Sequence, residues 1–423
     1  FYAGNIRQGT NAVAIGAFTA QTNQGSGSVA IGFQAGLSTQ GSSSVAIGPN
    51  AGQTSQLGNN VAIGDRAASL NQGAQSVAIG QQAGQYTQGS NAVALGFNSG
   101  ITNQGLNSVA IGYLAGAATQ GNNAIAIGVE AAEFIQNTGA IALGYFAGNT
   151  NQGTNSVAIG IQAGQATQGL SAVAIGNNAG NNIQGTRAIA IGLNASTFSQ
   201  GENAVSIGSS AGNQNQGNSA VAIGIQAGTA SQGVNAVAIG NTAGSNRQQT
   251  GAVAIGSAAG QNTQGGNAVA VGNGAGQNNQ KYGAIAIGQS AGNGTQNSGA
   301  IAIGQNSGGV SQGTTAIAIG SGAGQQNQGV NGVAIGSNAG LNNQLSGAVA
   351  IGLSAGRLTQ GLNTVAIGNL AGRDNQGNSG IAIGENSAST FQGLNAIAIG
   401  TSAGQGTQQS GGIAIGNNAG NTF

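Results

Sequence analysis

Val13-Ala14-Ile15-Gly16 returns as Val29-Ala30-Ile31-Gly32, as Val45-Ala46-Ile47-Gly48, and onward to Ile413-Ala414-Ile415-Gly416. The step is 16 residues every time, giving 26 copies in 423 residues without an insertion or deletion. With Val13 as slot 1, every residue takes a slot number from 1 to 16. Slot 1 is always Val or Ile, and slot 2 is Ala except at Ser206. Slot 4 is Gly in all 26 copies, and slot 12 is Gln without exception, from Gln8 to Gln408. Slots 7 and 8 are mostly Ala-Gly, as at Ala35-Gly36, and slot 16 is always small or, once, Asn60. Residues 1–423 therefore read as a single uninterrupted repeat array with no cap, linker or second domain.

Sixteen residues are too few for a helical repeat, which needs about 33 or more to hold two helices. Gly makes up 84 of the 423 residues, a density that opposes helix. Val-x-Ile has period 2 and its large members are β-branched, which is strand language. One unit reads as one coil of an all-β parallel β-solenoid: a strand over roughly slots 15 to 3, a turn, a second short strand and a return. Coils stacking about 4.8 Å apart would extend the array to roughly 125 Å. Gly in slots 4, 8 and usually 13 marks corners that need positive φ. Where slot 13 is not Gly, as at Leu57, Asn137 and Lys281, a Gly follows within two residues (Gly58, Gly139, Gly283). The turn thus reads as needing one left-handed residue that has two possible places.

Charges occur only in slots 5, 6, 9, 10, 11, 13, 14 and 15. Slots 1–4, 7, 8, 12 and 16 are the expected interior. Slots 1 and 3 carry Val and Ile on one strand face, and slots 16 and 2 carry Ala and Ser on the other. Either face could line the core, and the opposite one would then meet a partner; both assignments predict lateral association. Stacked coils place Gln24, Gln40, Gln56, Gln72, Gln88 and Gln104 in one column. Side-chain amides in register can bond to the coils above and below, as in cross-β ladders.

Little chemistry is available. The chain has no Cys, His, Met or Trp, so thiol, imidazole and the usual zinc ligands are excluded. Seven cations and six anions give a net charge of +1, which offers no electrostatic reason to bind nucleic acid or an anionic membrane. No apolar run reaches the 18 or more residues of a membrane helix. Glu130 and Glu133 are close in sequence but read as solvated rather than as an acid/base pair. Calcium-binding rolls need a recurring Asp that is missing here. The sequence points to no enzyme, no metal and no cofactor.

Asn107-Ser108-Val109-Ala110-Ile111-Gly112 and Asn155-Ser156-Val157-Ala158-Ile159-Gly160 resemble the head repeats of YadA-like trimeric autotransporter adhesins. Similar repeats occur in phage and giant-virus fibre proteins. The resemblance implies a left-handed parallel β-roll, homotrimeric, displayed on a cell or virion surface and used in attachment. The strict 16-residue unit and the slot-12 Gln depart from that motif, whose repeats are somewhat shorter.

Slot 5 is uneven along the chain. It holds Phe33, Phe97, Tyr113, Tyr145 and Ile161 early, and mostly Asn, Ser, Gln or Thr after Asn241. This stripe reads either as corner packing or as a contact surface for a partner or another filament. The overall expectation is a structural extracellular segment of a fibre, filament or adhesin shaft. It would associate with itself, as a homotrimer or laterally and end to end, through small-residue apolar faces. The alternative is an adhesin or viral fibre recognising a host surface or glycan; ice binding is less favoured because slot 11 also admits Arg247 and Phe391.

Overall fold

The computed structural model describes residues 2–421; residues 1, 422 and 423 lie outside it. The chain is an all-β parallel solenoid of about 26 coils with 16 residues per turn, and no helix occurs among the described residues. The described residues fall into two compact units, divided between Gln214 and Asn215. Thirteen Val-Ala-Ile-type strands fall in the first, from Val13–Ile15 to Val205–Ile207, and thirteen in the second, from Val221–Ile223 to Ile413–Ile415.

Each unit contains two parallel sheets. One is built from slots 1–3, with Val93 opposite Val109, Ala94 opposite Ala110 and Leu95 opposite Ile111. The other comes from slots 11–12, with Gln88 opposite Gln104. The second unit repeats the pattern, as in Val237 opposite Val253 and Gln248 opposite Gln264. Identical slots thus form columns within each unit.

The core lies between the two sheets and is made of methyl groups and amides. Ala in slots 2 and 7 is buried except in the end coils (Ala3, Ala14 and Ala419), as at Ala110, Ala115, Ala126 and Ala131. All of the twelve largest fully buried side chains are slot-12 glutamines. The Val and Ile of slots 1 and 3 point the other way and are only half covered. Slots 1 and 3 are therefore not interior positions, which corrects the expectation drawn from charge placement. The reason is size. Two strands that close on each other within a 16-residue loop leave room for Ala, Ser and one flat amide, not for Ile. A one-residue slip would drive Val and Ile inward rather than outward.

The glycine pattern also needs correction. Slots 4 and 8 do carry positive φ, as at Gly144 (φ 130) and Gly148 (φ 53). Slot-13 glycines do not. A Cβ on Gly153 would lie 2.5 Å from the carbonyl oxygen of Gly169 in the next coil, so slot 13 is glycine because two backbones approach closely. The left-handed residue of this turn always sits in slot 15, whether it is Asn155 (φ 56), Ser171 (φ 54) or Gly139 (φ 69). The angle is wider where slot 15 is itself Gly, as at Gly27 (φ 67), whose slot-13 residue is Gly25. Coils bearing Asn137, Gln249 and Leu345 have φ of 69, 69 and 71 at Gly139, Gly251 and Gly347. Slot 6 is left-handed too, even where it is bulky, as at Leu114 (φ 53) and Phe146 (φ 55).

This distinction is testable. Asn155→Gly should change stability by less than about 1 kcal/mol, because relief at a left-handed position offsets the extra freedom of the unfolded chain. Gly153→Ala should cost about 2 kcal/mol or more, because neighbouring coils must separate. Urea unfolding of the two variants compares them directly; equal losses would reject the assignment.

Candidate interaction surface

Three outward columns run side by side: slots 1, 3 and 5. In the first unit they place Val93, Leu95 and Phe97 beside Val109, Ile111 and Tyr113 in the next coil. Phe97 is 40% exposed and Tyr145 50%, and Phe33, Tyr113 and Ile161 are exposed likewise. Slot 5 therefore faces solvent rather than packing into the corner. The rings of Phe97 and Tyr113 stack 5.5 Å apart at 8°, as coil spacing allows. Tyr145 meets Phe146 edge-on at 4.3 Å, and Phe33 meets Phe18 edge-on at 6.1 Å. From Phe97 to Ile161 the three columns form an unbroken apolar face; Asp65 and Gln81 separate it from Phe33.

Behind this face, slot 12 braces the coil. Gln24 Nε2 donates to the Val13 carbonyl at 2.8 Å, and Gln40 Nε2 donates to that of Val29 at 2.9 Å. Gln56, Gln72, Gln88 and Gln104 make the same bond to Val45, Val61, Val77 and Val93. Each amide thus ties the second strand to the first within its own turn. Amide-to-amide bonds between coils join Gln24 to Gln40 (3.2 Å), Gln56 to Gln72 (2.9 Å) and Gln72 to Gln88 (3.1 Å).

A second set of amides was not singled out by sequence reading. Asn in slot 9 reaches back to the slot-6 carbonyl of the preceding coil: Asn149 to Glu130 (2.9 Å), Asn181 to Gln162 (3.0 Å) and Asn293 to Gly274 (3.2 Å). These bonds satisfy the carbonyl of a left-handed corner. Recurrence of Asn in slot 9 was the available signal.

Among the described residues, charged groups do not converge on one cluster. Glu130 and Glu133 are partly exposed, and Glu133 accepts a bond from Asn149 at 3.1 Å. Arg187 and Glu202 form an exposed pair at 3.8 Å, which contributes little in water. Arg373 donates twice to Asp374, at 2.9 and 2.8 Å, and this bonding raises the guanidinium pKa above its ordinary value. No helix among the described residues is long and apolar enough to cross a membrane.

Comparison with protein families matches part of the array. Five segments match the YadA head domain repeat (2 copies). They are residues 72–99, 104–131, 152–179, 184–211 and 376–403. Every match starts on a slot-12 glutamine (Gln72, Gln104, Gln152, Gln184 and Gln376) and ends on slot 7 (Ser99, Ala131, Ala179, Ala211 and Ala403). The matched repeat is thus in register with the coil, and two successive slot 1–4 motifs fall inside each segment. No curated protein matches the chain. The solenoid and the YadA head repeats fit an adhesin-like or fibre-like protein, and they suggest a surface-exposed, non-enzymatic one.

Proposed function

We propose that this chain is a structural segment of an extracellular surface fibre or adhesin shaft, and that copies of it associate through the outward Val/Ile columns. The supporting observation is the inverted packing: Ala fills the core while the larger aliphatic side chains remain half exposed. Covering the exposed part of one such side chain is worth roughly 0.5–1 kcal/mol, a fraction of the full burial value. Two per coil over thirteen coils give roughly 13–26 kcal/mol, a gain of the size needed to offset an association cost of about 4–15 kcal/mol. A partner that interdigitates with these columns must repeat at the coil spacing, and a second copy does so by construction. Similarity to trimeric adhesin heads supports the same reading.

Sedimentation velocity tests it. The full chain should sediment as an oligomer at micromolar concentration. Replacing Val109, Ile111, Ile125, Ile127, Ile141 and Leu143 together by Thr should shift it toward monomer with an unchanged circular dichroism spectrum, since Thr suits an exposed strand. A parent chain that stays monomeric up to about 100 μM would overturn the proposal.

A second reading, recognition of a host surface or glycan, is favoured by the exposed slot-5 stripe of Phe33, Phe97, Tyr113, Tyr145 and Ile161. Exchanging Phe97, Tyr113 and Tyr145 for Ser separates the two uses of that stripe. Lost partner contact with unchanged stability supports recognition, whereas lower stability alone returns the stripe to a packing role.

A further inference from the structure

In the second unit, the slot-14 column reads Thr250, Gly266, Tyr282. Slot 13 of the same coils reads Gln249, Gly265, Lys281. In slots 13 and 14, one coil without side chains therefore lies between two that carry them, and the surface is notched at Gly265-Gly266. The Tyr282 ring leans over the notch: its Cδ2 would lie 3.4 Å from a Cβ on Gly266. Asn267 Nδ2 donates to the Tyr282 hydroxyl at 3.2 Å, and Gln249 Oε1 accepts from the Gly266 amide at 3.1 Å. The result is a cleft of about 600 Å³, open to solvent, with Arg247 on its wall.

The lining is polar apart from the aromatic ring. Arg247, Gln249, Thr250, Asn267 and Tyr282 surround the cleft, and no aliphatic side chain lines it. Tyr282 is 63% exposed. Local charge is one-sided. Arg247 and Lys281 are cations, while the sequence from residue 203 to residue 373 contains no carboxylate at all. An uncompensated positive cleft in an otherwise neutral polar surface concentrates anions.

We propose that this cleft binds an acidic saccharide, a sugar unit bearing a carboxylate. The Arg247 guanidinium has the planar donor fork that matches a carboxylate. The exposed Tyr282 face suits the C–H face of a pyranose ring, with a polar tip left for hydroxyl groups. Gln249, Thr250 and Asn267 supply donors and acceptors for the remaining hydroxyls. The volume suits one or two sugar units. This deepens the recognition reading and does not depend on self-association through the Val/Ile face, so titration and sedimentation can fail separately.

Isothermal titration calorimetry on the full chain, with trigalacturonate, neutral galactotriose and inorganic phosphate as probes, tests the site. Trigalacturonate should bind, with the other two at least about tenfold weaker, equivalent to about 1.4 kcal/mol. Arg247→Gln should weaken trigalacturonate binding at least about tenfold through loss of the charged fork. Gly266→Val should do the same by filling the notch while keeping every charge. Slot 14 already carries Val at Val234 and Val330, and Gly266 has no positive φ, so this variant should retain the parent circular dichroism and melting temperature. The proposal is overturned if trigalacturonate does not bind at millimolar concentration or if galactotriose or phosphate binds as tightly. It also fails if Arg247→Gln and Gly266→Val leave binding intact.

Discussion

Gly144→Ala should destabilise the first unit by about 3–5 kcal/mol, combining backbone strain with forced separation of coils. Gly144 has φ of 130, a region that L side chains rarely enter. Its added Cβ would lie 2.6 Å from the Gly160 carbonyl oxygen and 2.9 Å from the carbonyl carbon. Both are backbone atoms of the next coil, so no rotamer change relieves the clash. Moving Gly144 away strains its bond to the Ile127 carbonyl, now 2.9 Å, in the coil before. Stability in a solenoid is a sum of neighbour terms, and this substitution damages two of them.

The control lies four residues on. Gly148 also has positive φ (53), yet slot 8 holds Ala at Ala132 with φ of 49. A Cβ on Gly148 would meet the Gln152 carboxamide at 2.8 Å, the end of a side chain that can shift. Gly148→Ala should therefore cost about 1 kcal/mol. Urea unfolding followed by circular dichroism, with hydrogen exchange to localise the loss, compares the pair. Equal effects in the two variants would show that slot 4 is not a close backbone contact.

Coil length and strand type were readable because the repeat is a covalent count and Val-x-Ile admits no helix. Which face lines the core was not, since both faces of the strand are apolar and periodicity is blind to side. Volume held the answer. Slots 2, 7, 8 and 16 are all small and slot 12 is a long amide, so the cavity they share cannot also hold Val13 and Ile15. Glycine was ambiguous for a related reason. Close approach at Gly153 and positive φ at Gly144 both favour a residue without a Cβ, although slot 13 also admits Leu57, Asn137 and Lys281. The composition of slot 15, rich in Asn and Gly, marked the true left-handed site, because Asn is among the few residues that enter it readily. Slot 5 could not be placed from sequence, because an aromatic ring at a corner packs inward or projects outward according to backbone direction, which the structure sets at Phe97 and Tyr113. The cleft beside Tyr282 is invisible along the chain. It depends on Gly266 standing between Thr250 and Tyr282, which are 32 residues apart in sequence but only two coils apart in space.

Gln136→Leu should cost about 2–4 kcal/mol although it removes a polar group from the core. Gln136 Nε2 donates to Ile125 O at 2.8 Å, to Ala140 O at 3.1 Å and to Gln152 Oε1 at 3.0 Å. Gln136 Oε1 accepts from Gln120 Nε2 at 3.0 Å. Leu has a similar size and a more favourable transfer energy, so burial alone predicts a gain. The orphaned partners decide the sign: Gln152 Oε1 loses its donor inside the buried core, and the Gln120 amide loses an acceptor. Gln136→Glu separates bonding from packing. The introduced carboxyl faces two backbone carbonyls, and burial among them favours its protonated form, which keeps one donor. A carboxyl whose folded pKa is raised lends its stability below the unfolded pKa, near 4.3, and loses it as pH rises through the folded value. Gln136→Glu should therefore approach the parent at acid pH and fall progressively behind toward neutral pH, while Gln136→Leu stays equally weakened throughout. Unfolding measured from pH 4 to pH 8 resolves the two curves, and a Leu variant as stable as the parent would mean that the amide column fills space without bracing the coil.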